Sequence, residues 1–205
     1  MTLWRELLYK KLSTIKLEGK VLDLGGSKNS GYHELLGGNN VITVANMYGS
    51  ETPDLKVDLE NEFPISNEEF DAVICVNVLE HIYNYKGVLK ESYRVLKQNG
   101  KVVIAVPFLV QIHPSPKDYW RFSGMTLNKI LGEAGFVDIE IYPIGTGVFG
   151  ALSQIVYNFL HFSIVRYAAN LVAKFIDSIV RAIKPQSNYS ERFYPLGYVV
   201  IAQKL

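Results

Sequence analysis

Cysteine is nearly absent from this chain, with Cys75 the only one in 205 residues. An intrachain disulfide framework and a Cys-rich zinc site are therefore excluded, and no metal site is expected. An excess of either charge is missing too, since 21 Lys and Arg face 20 Asp and Glu. That balance argues against a nucleic-acid binder working through a broad basic surface, so no nucleic-acid partner is expected. Met1–Leu12 is charged and amphipathic rather than continuously apolar, so it does not read as a secretory leader, and a cytoplasmic location is expected. No internal repeat or low-complexity linker divides the chain, and residues 1–205 read as one folding unit.

What is present is apolar sequence, 48% of the chain, unevenly distributed. Short apolar runs at Val21–Leu24, Val41–Val44, Phe70–Val76, Lys101–Val106, Phe136–Tyr142 and Leu196–Gln203 read as strands. Helical spacing occupies Leu3–Ile15, Tyr85–Leu96 and Thr126–Ala134, with Asn99-Gly100 as a C-cap signature after the second. Continuously apolar strands alternating with helices imply an α/β doubly wound, mostly parallel sheet covered on both faces.

A glycine turn, Gly25-Gly26-Ser27-Lys28-Asn29-Ser30-Gly31, follows the first strand directly. In open α/β sheets ligands bind outside the carboxyl ends of strands, where glycines admit close backbone approach. Tyr32 follows Gly31 where a phosphate-binding P-loop needs Lys and Ser or Thr. Ser27 stands at the middle glycine of a dinucleotide fingerprint, which disfavours a nicotinamide cofactor. Asp23, two residues before the turn, suits a ligand with a cationic or amino-acid end.

Val21–Gly31 resembles the first motif of the class I S-adenosylmethionine-dependent methyltransferases. Further segments fit in order: Asp58-Leu59-Glu60, Phe70–Ile82 with its Leu79-Glu80-His81 continuation, Tyr93–Lys101, and Gly132–Phe136. The resemblance implies a Rossmann-like methyltransferase sheet with an antiparallel last strand, and S-adenosyl-L-methionine as cofactor. It implies that Asp23, Gly25, Gly26 and Ser27 hold the methionine end and ribose region. Asp58 and Leu59 would then take the adenine, with Asn77 and Val78 lining the floor. The family usually has an acid at the end of the second strand to grip the ribose hydroxyls, whereas this chain has Asn46. An amide oxygen in place of a carboxylate loses on the order of 1–2 kcal/mol, about tenfold in affinity. A methyltransferase-like binding or scaffold domain without turnover is the alternative this departure raises.

After Val106 comes Pro107–Ser123, rich in His, Asp, Tyr, Trp and Arg. Its His113-x-x-Pro116-x-Asp118-Tyr119-x-Arg121-Phe122-Ser123 pattern resembles a bacterial methyltransferase type 11-like subgroup found near cell-surface glycan or natural-product genes. The expected acceptor is a small-molecule or glycan-like hydroxyl or carboxyl group. His113 is the candidate general base and His81 a weaker one. Asp118 and Arg121 are expected to pair and organise the loop, and Tyr119 and Trp120 to stack on an acceptor or close the pocket.

Residues 141–165 contain no Asp, Glu, Lys or Arg, yet Pro143, Gly145, Gly147 and Gly150 interrupt them. From Ala151 to Ile183 apolar residues recur every three or four positions, with Gln154, Asn158, His161, Asn170, Lys174, Asp177 and Arg181 opposite. This reads as amphipathic helix, not a transmembrane span. Unbroken it would reach roughly 50 Å, so it is expected to bend into two helices. Residues 147–190 thus form a helical insertion between the last two strands. A lid over the acceptor or a homodimer surface through 151–183 is expected first, and peripheral membrane contact second.

Overall fold

The computed structural model describes residues 1–47, 52–184 and 188–205. Seven strands form one sheet: β1 Gly19–Leu24, β2 Asn40–Asn46, β3 Leu55–Lys56, β4 Phe70–Val76, β5 Leu96–Pro107, β6 Val137–Ile144 and β7 Gly197–Gln203. Their spatial order is β3-β2-β1-β4-β5-β7-β6. The pairs from β3 through β5 are parallel, and β7 runs antiparallel between β5 and β6. Strand order reverses between β1 and β4, which opens a crevice at their carboxyl ends.

Helices cover both faces: α1 Leu3–Leu12, α2 Tyr85–Val95, α3 Gly124–Glu133, α4 Val148–Val156 and α5 Ser163–Ile183. Thr2, Asn84 and Ser123 cap α1, α2 and α3 by accepting from Arg5, Gly87 and Thr126 amides, which satisfies donors the helix leaves orphaned. The strands are apolar on both sides because each face meets a core. One core joins Leu22, Leu24, Val73 and Ile104 to α2 and α3, and the other joins Val21, Ile74 and Val103 to α1 and Ala151 of α4.

One local expectation is corrected. Asn99-Gly100 does not cap a helix: α2 ends at Val95, and Leu96 already pairs with Phe70 in β5. The two residues form an irregularity inside the long strand, with Asn99 at φ 60°. A Cβ at Gly100 would lie 2.8 Å from the Lys97 carbonyl oxygen, so glycine is needed there for packing. The two-residue β3 has no periodicity to reveal it, and only pairing with Ala45 and Asn46 defines it.

The apolar stretch does bend. α4 gives way to a short 3-10 turn at Tyr157–Phe159 before α5 starts. Its orientation is the unexpected feature. α5 turns Asn170, Ala173 and Asp177 inward, while Ile164, Tyr167, Val172, Phe175 and Ile183 stand in solvent. Residues 185–187 of the 147–190 insertion lie outside the described residues.

Candidate active site

The glycine turn and Asp23 form the first wall of the crevice. Asp23, fully buried, accepts from the Tyr32 hydroxyl at 2.8 Å and lies 2.7 Å from His33 Nε2, both through Oδ2. Its Oδ1 has no hydrogen-bond partner. Burial raises the Asp23 carboxyl above its ordinary range, against the lowering by His33 and Tyr32. Gly26 lies so close that an added Cβ would fall 1.8 Å from Asp23 Oδ2. Gly25 adopts φ 74° and is covered by Val78. The crevice therefore presents an orphaned buried acceptor beside backbone that tolerates no side chain, which fits a ligand carrying a cationic end.

Asn46 sits at the end of β2 as expected, but its amide nitrogen donates to the Gly25 and Gly26 carbonyls at 3.0 and 2.9 Å. It thereby ties the glycine turn to β2. Ser27 closes that turn, accepting from Ser30 N and donating its own amide to Ser30 Oγ. Asp58 folds back on its own loop, accepting from Glu60 N and Asn61 Nδ2, and Leu59 joins the core. Asn77 takes φ 54° after β4, and its Oδ1 accepts from Trp4 Nε1 at 3.1 Å.

The second wall comes from the turn after β4 and the loop after β5, brought together because these strands are parallel neighbours. Fully buried Glu80 follows Leu79, and its backbone carbonyl accepts from Tyr119 and Trp120 amides at 2.8 and 3.2 Å. Asp118 receives the His113 amide at 2.9 Å and the Arg121 guanidinium at 2.5 and 2.8 Å. That guanidinium holds the Asp118 carboxyl down at about 2. The expected Asp118–Arg121 pair is thus present and organises the loop. Trp120 packs on Tyr83, Tyr85 and Phe122 and donates Nε1 to the Ile82 carbonyl, and Tyr119 meets Tyr83 edge-on.

The His81 and His113 rings lie 5.0 Å apart, and each Nε2 is 3.7 Å from Glu80 Oε1. The Glu80 carboxylate raises His113 above the ordinary imidazole value. Sequence reasoning named both histidines and passed over Glu80. The available signal was a Glu-His pair closing one strand with a His shortly after the next, since adjacent parallel strands bring such positions together.

The strand order, the antiparallel β7 and the glycine turn at the β1–β4 reversal together decide the architecture. The fold is that of a class I S-adenosylmethionine-dependent methyltransferase. A family profile described as a methyltransferase domain matches residues 38–104. A probable S-adenosylmethionine-dependent methyltransferase of Mycobacterium tuberculosis is 26% identical over 86 residues, covering 39% of this chain and 31% of that protein. An uncharacterised protein of Methanocaldococcus jannaschii is 31% identical over 90 residues, covering 38% of this chain and 44% of its own. These curated relatives are thus matched over less than half their length. Among solved structures, a SAM-dependent methyltransferase from Archaeoglobus fulgidus superposes with TM-score 0.59 at 18% identity, covering 98% of this chain and 94% of that one. Phosphoethanolamine N-methyltransferase 2 of Haemonchus contortus, in complex with S-adenosyl-L-methionine, gives 0.56 at 16% identity, covering 98% of this chain and 52% of its own.

Proposed function

We propose that this methyltransferase-fold protein binds S-adenosyl-L-methionine and methylates a hydroxyl or carboxyl group of a small-molecule or glycan-like acceptor. The observation carrying the reading is Asp23 Oδ1, buried, unpartnered and set beside Gly25-Gly26 at the strand-order reversal. When bound, the cofactor supplies a methyl group on a sulfonium; transfer to an acceptor oxygen breaks the carbon–sulfur bond, leaves its electron pair on sulfur and requires a hydroxyl acceptor to give up its proton. Asp23 would receive the cofactor's ammonium end, and the bare Gly25-Gly26 backbone would let the ligand close on the strand ends. Positioning and water exclusion then supply most of the acceleration. His113 is the candidate proton acceptor, because its Nδ1 lies 3.0 Å from the Gln111 carbonyl and Nε2 faces the crevice cluster. A carboxylate acceptor needs no base.

Calorimetry with S-adenosylhomocysteine tests this. Saturable binding is expected, weakened by about tenfold or more in Asp23→Asn, which keeps the side chain's size while removing its charge. Circular dichroism checks that the variant is folded. No binding at millimolar ligand would refute the cofactor reading and favour a scaffold domain, the alternative that Asn46 motivates.

The outward face of α4 and α5 suits a lipid surface, which would make the protein membrane-associated. Phe159, Phe162 and Ile164 are 78, 72 and 78% exposed. No Asp or Glu occurs from 141 to 176, and the acid that follows, Asp177, is buried inward. Arg166 in the first turn of α5 and Lys184 just after its last residue place positive charge at both ends of the helix, a pattern complementary to anionic headgroups. No helix among the described residues is long and apolar enough to cross a membrane. Cosedimentation with phosphatidylglycerol-containing vesicles, abolished in Phe175→Asp, is the expected result. A concentration-dependent dimer that Phe175→Asp dissociates, with no vesicle binding, would overturn it and identify a second copy as the occupant.

A further inference from the structure

Glu80 presents an electrostatic problem that the residues around it do not solve. It is fully buried, and neither carboxylate oxygen has a hydrogen-bond partner. A buried carboxylate in that state is costly, and such groups are ordinarily paired or coordinate a metal. The imidazoles beside it approach to 3.7 Å, beyond hydrogen-bond range. One donor atom from each of Glu80, His81 and His113 falls within 4.8 Å of the others.

Both imidazoles are oriented from behind. His81 Nδ1 lies 2.5 Å from the Lys117 carbonyl oxygen and His113 Nδ1 lies 3.0 Å from that of Gln111. A carbonyl only accepts, so each Nδ1 carries a hydrogen, and Nε2 is the nitrogen left to offer a lone pair to a cation that displaces its proton. Both Nε2 atoms flank the same carboxylate oxygen. This is the arrangement by which outer groups set the tautomer of metal-binding histidines.

We propose that Glu80, His81 and His113 bind one divalent first-row transition-metal cation, Zn2+ or a neighbour in the series, beside the crevice. Two imidazoles and a carboxylate favour such a cation over Mg2+ or Ca2+, which take oxygen ligands, and three ligands leave coordination positions open. Tetrahedral bonds of about 2.1 Å place ligand atoms about 3.4 Å apart, so each 3.7 Å nitrogen–oxygen separation needs to close by only a few tenths of an ångström, and the two imidazole nitrogens start within 4.8 Å of each other. The cation would neutralise Glu80 and use both lone pairs, which a single shared proton cannot do.

The consequence for the acceptor rests on the methyltransferase reading; the metal site itself does not. An acceptor hydroxyl or carboxylate oxygen fits the open position. His113 then holds the cation instead of taking the acceptor's proton, and a hydroxyl of lowered pKa releases that proton to water.

The test uses the full chain, stripped by a chelator and titrated without any nucleoside. Zn2+ is followed by calorimetry and Co2+ by its visible d–d absorption. One equivalent is expected to bind, with affinity falling more than about 100-fold in His113→Ala and in His81→Ala, beyond the loss typical of an outer-sphere partner. Circular dichroism verifies that both variants are folded. Absence of saturable binding by either cation at submillimolar concentration would overturn the site, as would unchanged binding in the double variant. S-adenosylhomocysteine titration of the same samples separates the two readings. Metal binding without nucleoside binding upholds the site while removing the cofactor reading; nucleoside binding without metal binding overturns the metal site alone.

Discussion

Glu91 joins two segments through one carboxylate. It accepts from the Phe63 amide at 2.9 Å and from Arg94 at 3.0 and 2.6 Å, while Arg94 donates onward to the Phe63 and Ile65 carbonyls. The Arg94 guanidinium depresses the Glu91 carboxyl below its ordinary range. A depressed folded-state value means that this stabilisation is complete above the unfolded glutamate pKa of about 4.3 and is lost as pH falls through the folded value. Glu91→Gln is expected to cost about 1–3 kcal/mol at neutral pH and to flatten the acid limb of stability below pH ~4.3, measured by urea unfolding across pH. Asp23 shows what is legible at this scale. Its place at the strand end before two glycines was readable, because strand and turn are contiguous. Its Tyr32 and His33 partners were not, because the turn returns them to Asp23 only after nine and ten residues.

Among the elements, α4 and α5 depend on each other through Asp177. The first amides of α4 have no partner within the helix; Val148 donates to the Tyr189 carbonyl, and Gly147 supplies no side chain to cap the next two. Asp177 of α5 does so across the pair, accepting from Phe149 and Gly150 amides at 3.1 and 2.8 Å and from the Thr146 hydroxyl at 2.7 Å. A negative charge at a helix N-terminus adds to the effect. Removing it is expected to cost about 2–4 kcal/mol. Asp177→Ala should therefore loosen this helix pair selectively, seen as early proteolytic cleavage between 145 and 184, while the α1–α3 region stays protected. Glycine at 147 follows from the same geometry: φ is 143°, and a Cβ would meet Asp177 at 2.7 Å.

Across the whole molecule, the candidate site residues collect at the carboxyl edge of the sheet, and the helical insertion is attached beside it. Trp4 of α1 links the two regions by donating its indole Nε1–H to Asn77 Oδ1 and its backbone amide to Gln154 Oε1. Lys174 pairs with Glu6 of α1 at 2.7 Å, and Asn158 bonds Gln111 of the loop after β5. These polar attachments use the hydrophilic stripe of α5 for docking inward, so its apolar stripe is left outward. A surface that engages lipid through this stripe would lie within one loop of the cluster at His113.

The sequence by itself determined the alternation of strands and helices, the glycine turn beside Asp23 and the amphipathic, bent insertion, because these depend on local periodicity and on neighbouring residues. Tertiary structure decided three other matters. It gathered Glu80, His81 and His113 onto one carboxylate oxygen, because parallel pairing of β4 and β5 aligns loops distant in the chain. It turned Asn46 onto the glycine turn. It also set which side of α5 faces the protein. Periodicity says that a helix has two faces, but a buried carboxylate at 177 capping another helix chose between them.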